Sequence, residues 1–323
     1  MTKRRLLSAR MVPCLIFCSV LTAQDPTPQD PQMKQFEEVV TLLRQGRPVE
    51  AERLLDQSQL RLNQSKFQLG KSTMGAYGFS SAMLISAYEI LNDFAPAERV
   101  ARDRVTWAEQ QYGATALQTG GFLSSLADID RLQGKYKDAA PSYVRALSID
   151  RSLKLDNCLV AKEIYTGLAE TYLGLARTKD AQQLLRPAIE ACREKFGEKG
   201  MGRSDLLNAY SVALEADNKP EQAATAASEA DRVGTPDPRF QQEYRDLLKA
   251  RLMAAQGRFD ESVSFCLKWI AVFEVPEDDE SDRRLMLPLS EYERILRSAG
   301  RTAEAGEVAA RLKAIKNKYD VHF

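Results

Sequence analysis

The sequence predicts an all-α fold, a solenoid of about seven antiparallel helix pairs, and three observations carry that prediction. The stretch 126–146 has the pattern of a helix, a tight turn and a second helix. Gly134 supplies the permissive backbone of a helix end, and the small Ala139 lets the two helices approach closely. The same pattern returns every 42 residues through the middle of the chain. No run of alternating apolar and polar residues favours a strand instead.

The repeats are recognised by a turn residue and a small residue that follows it. They are Gly46 with Ala51, Asn92 with Ala97, Gly134 with Ala139, Ala176 with Ala181, Asn218 with Ala223, Gly257 with Ser262, and Gly300 with Ala305. The central four keep a strict 42-residue phase, and the others slip slightly. A fixed period of this length is the signature of a repeat architecture, in which each unit stacks on its neighbours.

This pattern resembles the tetratricopeptide repeat (TPR) family, whose unit is a helix–turn–helix of about 34 residues. The 42-residue period is similar to the kinesin-light-chain-like variety with longer helices. The resemblance covers residues 33–323. The family's aromatic residue late in the first helix is matched by Tyr88 and Tyr172, whereas Asp130 and Leu214 replace it elsewhere. The resemblance implies a right-handed superhelix whose concave groove, lined by the first helix of each pair, binds peptide or protein segments.

Residues 1–23 have the pattern of a secretory signal peptide. Four basic residues precede an apolar run from Met11 to Leu21, and Ala23 offers a cleavage point. An uncleaved membrane anchor is the alternative. Residues 24–32, rich in Pro and Gln, are expected to form an extended tether before the repeat domain at 33–323. These features predict an exported protein, periplasmic or extracellular, without a transmembrane segment after signal cleavage.

The charge balance argues against a nucleic-acid partner. The chain carries 45 basic and 45 acidic residues. Removal of the four basic residues of the leader leaves the mature chain mildly acidic. Nucleic-acid binding needs a concentrated basic face, which this composition does not favour.

Cysteine positions suggest one disulfide. Cys158 opens the first helix of its repeat and Cys192 closes the second, so that an antiparallel hairpin would bring them to a similar height. An oxidising compartment would then favour a bond between them. Two half-buried thiols are the alternative, and Cys266 takes a core position.

No combination of residues in the sequence points to catalysis. The single histidine, His322, lies one residue from the C-terminus, and the cysteines have no zinc-ligand spacing. Neither a phosphate-binding loop nor a dinucleotide-binding motif is present. We therefore predict a protein that is not an enzyme and that uses no cofactor and no metal.

The groove-facing positions of the family can be projected onto the first helices of the repeats. The predicted partner-binding residues are Asp128, Arg131, Glu163, Thr166, Glu170, Asp205, Asn208 and Arg251. The middle of this set is acidic, which favours a partner with a basic segment; a merely solubilising face is the alternative.

The function expected from these observations is that of an exported, non-catalytic scaffold that binds a peptide or protein segment in its groove. An envelope assembly or chaperone factor is one alternative. A hydrolase or carbohydrate-binding protein that uses the groove is another, although the predicted groove contains few aromatic residues.

Overall fold

The computed structural model describes residues 31–45, 47–64, 71–90, 93–155, 161–198, 200, 202–234, 238–274 and 281–318. The predicted signal peptide and residues 24–30 of the tether lie outside these ranges. Within them the chain forms fourteen α-helices. They are α1 (Pro31–Arg44), α2 (Pro48–Gln64), α3 (Lys71–Ile90), α4 (Phe94–Tyr112), α5 (Leu117–Leu132), α6 (Tyr136–Ser152), α7 (Lys162–Gly174), α8 (Thr178–Phe196), α9 (Arg203–Ala216), α10 (Pro220–Val233), α11 (Pro238–Ala255), α12 (Phe259–Phe273), α13 (Ser281–Ser298) and α14 (Thr302–Lys318).

Consecutive helices form seven pairs, from α1 with α2 to α13 with α14, so the predicted TPR-like all-α repeat fold is confirmed for the described residues. Helix α1 begins at Pro31, inside the predicted tether, and proline is favoured in the first turn of a helix. Two compact units make up the chain. Described residues up to Ser125 belong to the first, those from Leu126 onward belong to the second, and the boundary lies within α5.

The predicted turn residues end the first helix of their pairs by one shared mechanism. Gly134, Ala176, Asn218, Gly257 and Gly300 all have φ between 58° and 75°, in the left-handed region. The N–H of the following residue then reaches back to the helix, as in the bond from Lys135 N to Asp130 O at 2.8 Å. This is the bond of a Schellman cap. The equivalent Gly46 and Asn92 lie outside the described residues.

The small residue of each second helix lies at the contact between the two helices of its pair. All seven are buried, and six of them are alanines, which confirms the predicted close approach. The seventh residue is Ser262, whose hydroxyl donates to the carbonyl of Ala250 at 2.7 Å. A serine is therefore accommodated because its polar atom is satisfied.

The first unit is held by a run of aromatic side chains. The rings of Phe36 and Tyr77 lie 6.1 Å apart, those of Tyr77 and Trp107 4.5 Å, and those of Trp107 and Tyr112 5.6 Å. The guanidinium of Arg104 lies over the Tyr77 ring at 5.0 Å. Burial of these large rings adds apolar contact between the helices of this unit to that of buried aliphatic side chains such as Leu43 and Leu84.

In the second unit the first helices of the pairs stack against one another. Helix α9 contacts α7 and α11, α11 contacts α13, and α7 also contacts α11 although a whole pair separates them in sequence. The interior of this unit is therefore formed by α7, α9, α11 and α13, and the end of α5 reaches it through Arg131 and Leu132. Every helix in the described ranges is too short or too polar to span a bilayer.

Candidate functional site

Five charged side chains meet in the interior of the second unit, and we call them the ionic core. They are Arg131 on α5, Glu170 on α7, Arg251 on α11, and Glu291 and Arg294 on α13. Each exposes at most 11% of its side chain. Charges at this depth must be paired, because desolvation of an isolated ion is costly.

Glu170 joins two arginines from different helices. Its Oε2 atom accepts hydrogen bonds from Arg131 Nη1 at 2.5 Å and from Arg251 Nη1 at 3.1 Å. Residues 170 and 251 are 81 positions apart in sequence. The contact therefore links the fourth pair directly to the sixth.

Glu291 and Arg294 extend the ionic core across α13. Glu291 accepts from Arg251 through one oxygen, and its other oxygen accepts from Arg294 Nη2 at 2.8 Å. Arg294 Nη1 then donates to the main-chain carbonyl of Leu132 at 3.1 Å, across 162 positions of sequence. Leu132 ends α5, so the seventh pair touches the third.

A buried tyrosine positions the first arginine of the ionic core. Arg131 Nε donates to the Tyr143 hydroxyl at 3.0 Å, and that hydroxyl donates to Asp128 Oδ1 at 2.5 Å. Tyr143 fits because Gly167 of α7 has no side chain; a Cβ there would lie 2.6 Å from Tyr143 Cζ. Gly174, one heptad later, meets the ring of Tyr136 in the same way.

The electrostatics of the ionic core favour the charged forms of Arg131 and Arg251. Burial alone opposes the charge of Arg131, but Glu170, Tyr143 and Asp128 outweigh it, and the pKa of the guanidinium is raised well above its ordinary value. Burial also raises the pKa of the Tyr143 hydroxyl. The pKa of the Arg251 guanidinium is likewise raised, because Glu291 and Glu170 outweigh the effect of burial, so both arginines carry their positive charge in the folded protein.

Three carboxylates beside the ionic core remain partly open to solvent, and we call Asp128, Glu163 and Asp205 the acidic rim. Their side chains are 31%, 30% and 34% exposed. Lys162 Nζ lies 2.9 Å from Asp205 and 3.6 Å from Glu163, so one ammonium forms ion pairs with two carboxylates.

Glu163 lies where its ionised form is disfavoured. Burial raises its pKa, and the charges of Asp205 and Asp128 raise it further, while Lys162 and a backbone hydrogen bond oppose the shift. The carboxylate form is thus held in the folded protein at some cost in stability, which is common at functional sites.

The structure brings several of the predicted groove residues into contact and buries others. Glu170, Arg131 and Arg251 contact one another inside the ionic core. Thr166 is buried and donates to the carbonyl of Lys162. Asn208 is fully buried and accepts from Arg245 Nη1 at 2.9 Å. Asp128, Glu163 and Asp205 keep the exposure that a partner would need, and partner contact by any of the eight residues stays a prediction.

A small cavity of about 10 Å³ lies between the ionic core and a layer of leucines that includes Leu173, Leu248 and Leu252. That volume is close to the least that holds one water molecule. Pockets for sugars or other organic ligands are far larger, on the order of 300 Å³ or more, so this cavity has no room for such a ligand.

Sequence reasoning missed the contribution of Lys162, Glu291, Tyr143 and Gly167 to this site. One signal in the sequence could have located the ionic core. The position six residues before the left-handed turn residue is acidic in the third and fourth pairs and basic in the sixth and seventh. These residues are Asp128, Glu170, Arg251 and Arg294, of which the last three belong to the ionic core and Asp128 to the acidic rim. Opposite charges at one repeat position would have suggested the contact between Glu170 and Arg251.

The cysteines are partly described. Cys192 is disulfide-bonded and buried. Cys158, its predicted partner, lies outside the described residues, so the pairing stays a prediction. Cys266 is a free thiol in the apolar core, as the sequence suggested, and burial raises its pKa to about 12. Among the described residues, no group of three or more His, Cys, Asp or Glu side chains could hold a metal ion.

No protein-family model matches the chain, and no curated protein matches it. Several solved structures have a similar fold. BtubC (BKLC) from P. vanneervenii is 18% identical, with 72% of this chain and 93% of BtubC covered and a TM-score of 0.39. A Rap protein complexed with Competence and Sporulation Factor is 14% identical, with coverages of 90% and 78% and a TM-score of 0.46. The apo quorum sensor NprR from B. thuringiensis is 13% identical, with coverages of 88% and 81% and a TM-score of 0.43. At these identities the similarity concerns the helical fold alone.

Proposed function

We propose that this chain is a non-catalytic protein-interaction scaffold and that its second unit binds a basic segment of a protein partner at the acidic rim. The observation that carries the proposal is the placement of Glu163. Its pKa is raised by burial and by two neighbouring carboxylates, and it shares the ammonium of Lys162 with Asp205. A fold that only needed solubility would leave this carboxylate in water.

A basic side chain of a partner would supply the missing positive charge. Arg131 already forms an ion pair with Asp128, and Lys162 lies closer to Asp205 than to Glu163. An incoming Lys or Arg would therefore pair with Glu163 first. Such a contact is partly desolvated, which makes it stronger than an ion pair on an open surface and less sensitive to salt.

We also propose that the scaffold acts outside the cytoplasm, in the periplasm or beyond the cell. Two observations support this. Residues 1–23 have the pattern of an export signal. Cys192 is disulfide-bonded, and structural disulfides persist mainly in oxidising compartments.

The test of the binding proposal is a selection of random peptides displayed on phage against the chain from Gln24 onward. Selected peptides are then synthesised and their affinities measured by fluorescence anisotropy. We expect the selected peptides to be rich in Lys and Arg. The double charge reversal Glu163→Lys with Asp205→Lys should weaken their binding by about tenfold or more, since like charges then face each other.

A matched control makes the same change of net charge on another surface. Glu190 and Glu194 are exposed on α8, whereas the acidic rim lies on α5, α7 and α9. Reversal of both to lysine should leave peptide affinity within a factor of about two. Selected peptides without basic residues, or equal losses in the two double variants, would contradict the proposal.

A further inference from the structure

Two polar contacts in the second unit join repeats that are not neighbours. Arg251 Nη1 donates to Glu170, from the sixth pair to the fourth, and Arg294 Nη1 donates to the Leu132 carbonyl, from the seventh pair to the third. In most helical repeat arrays each repeat contacts only the next one. These two contacts therefore bridge the first helices of the third, fourth, sixth and seventh pairs beside the partly exposed acidic rim.

We propose that these contacts form a releasable latch that controls access to the inner face beside the acidic rim. The latch consists of Glu170, Arg251, Arg294 and the carbonyl of Leu132. When it is closed, α13 lies against the end of α5. When it opens, the inner surfaces of α7, α9 and α11 become available to a bound segment. The inference rests on the proposed function for the identity of the site that the latch covers.

The chemistry of the latch suits reversible opening better than an apolar contact would. Its attraction comes from charged side chains that lose hydration on closing and regain it on opening. These two terms largely cancel, so the closed and open states of a buried ion pair differ less in free energy than the states of an equally buried apolar contact. The cavity of about 10 Å³ beside Arg251 leaves the contact incompletely packed.

Arg251 supports the same view. It is buried, and its Nε–H has no hydrogen-bond partner although both terminal nitrogens are engaged. A buried donor without an acceptor lowers the stability of the closed state. This cost is removed when water reaches the guanidinium in the open state.

The latch can be tested by measuring one distance inside the second unit. Nitroxide labels on genetically encoded keto side chains are placed at the exposed positions Lys137 on α6 and Ser298 on α13, in the full chain. Pulsed electron spin resonance then gives the distribution of distances between them. We expect one short distance in the parent protein. In Arg294→Met, a longer distance should appear, because the contact with the Leu132 carbonyl and the ion pair with Glu291 are both lost.

The matched control removes an equally buried arginine that joins adjacent pairs only. Arg245 on α11 contacts Asn208 on α9 and Asp231 on α10. Arg245→Met should lower stability but keep the distance distribution of the parent. A folded Arg294→Met protein with the parent's distribution would overturn the latch.

If Arg294→Met loses its helical circular dichroism and is therefore unfolded, a milder substitution at the same position tests the latch. Arg294→Lys keeps a positive charge near Glu291, but a lysine cannot bridge a carboxylate and a carbonyl as a guanidinium does. It should show the longer distance in a smaller fraction of molecules. If its distribution equals that of the parent, the latch is overturned.

Peptide affinity separates this inference from the function on which it rests. Basic peptides selected against the parent should bind the opened variant more tightly, by the factor by which the open population rises. Opening without any gain in affinity would overturn the control of access. Absence of peptide binding by the parent would contradict the proposed function and would leave the distance result standing.

Discussion

The two units of the chain use different interactions for the same architectural task. In the first unit, the rings of Phe36, Tyr77, Trp107 and Tyr112 form a continuous aromatic run between helices. In the second, the interior of the stack is occupied by the ionic core, in which three arginines and two glutamates contact one another. Both units keep the same helix-pair architecture, so the pattern of turns and small residues tolerates either kind of interior.

The two interiors should respond differently when one side chain is removed. Aromatic contacts lose free energy gradually as surface is exposed, roughly 25 cal/mol for each Å². A buried ion pair contributes little in total but fails abruptly when one partner is removed, because the other is left as an uncompensated charge. The second unit therefore depends on a complete set of partners, and the first depends on packed area.

The largest effect should follow from removal of the carboxylate that joins two arginines. Glu170→Ala leaves Arg131 and Arg251 buried without their shared acceptor, and we expect a loss of about 3–5 kcal/mol in the free energy of unfolding. Urea denaturation with hydrogen exchange resolved by segment would assign the loss to the second unit. Glu190→Ala is the control, because its ion pair with Arg193 is about half exposed and should contribute less than about 1 kcal/mol. A loss below about 1 kcal/mol in Glu170→Ala would show that the ionic core is not structural.

A second test concerns the close approach that holds Tyr143 beneath Arg131. Gly167→Ala would place a methyl group 2.6 Å from Tyr143 Cζ, and the tyrosine is held from the other side by Asp128 and Arg131. We expect a loss of about 1–3 kcal/mol from overpacking, measured by thermal denaturation. Gly306→Ala is the matched control, since a Cβ there meets nothing within 4 Å. That change should raise stability by about 0.5–1 kcal/mol through helix propensity. Equal and positive effects at both sites would contradict the described packing.

The first unit should respond more mildly to loss of part of a ring. Trp107 is buried, and its indole N–H has no hydrogen-bond partner. Trp107→Phe therefore loses volume but no polar contact, and we expect a cost of about 1–2 kcal/mol. Chemical denaturation followed by tyrosine fluorescence would measure it. A cost as large as that of Glu170→Ala would remove the distinction between the two interiors.

Much of the fold could be predicted because its determinants are local. A left-handed residue must end the first helix, and a small residue must follow at the helix contact, so Gly134 with Ala139 and Ala176 with Ala181 appear in the sequence at a fixed spacing. These constraints act within about ten residues of one another. The combination of a turn residue and a small residue recurs seven times in the sequence, and this count predicts the number of helix pairs.

The site was predicted less completely because it depends on how repeats accumulate in space. Glu170 lies on one of the predicted first helices and its role toward a partner stays a prediction, but its contact with Arg251 depends on how two successive repeat steps rotate the helices relative to each other. No local pattern gives those rotations. The charges at the position six residues before each turn would have indicated the contact, although the exposure left at Glu163 could be learned only from the folded chain.

The smallest effect, a pH dependence at Glu163, separates the acidic rim from the ionic core. Because the pKa of Glu163 is raised by burial, the folded chain binds a proton at pH values where the unfolded chain, with a pKa of about 4.5, has lost it. The stability of the parent should therefore fall as pH rises through this window and stay lower above it.

Glu163→Gln removes the carboxylate, so we expect it to raise the melting temperature slightly at neutral pH. This gain should vanish below the pKa that the Glu163 carboxyl has in the unfolded chain. In Lys162→Met the opposing ammonium is gone, and the same pH dependence should become larger. If the difference in melting temperature between Glu163→Gln and the parent is the same at every pH, the ionised Glu163 does not lower stability. The reason for expecting a basic partner at the acidic rim would then be lost.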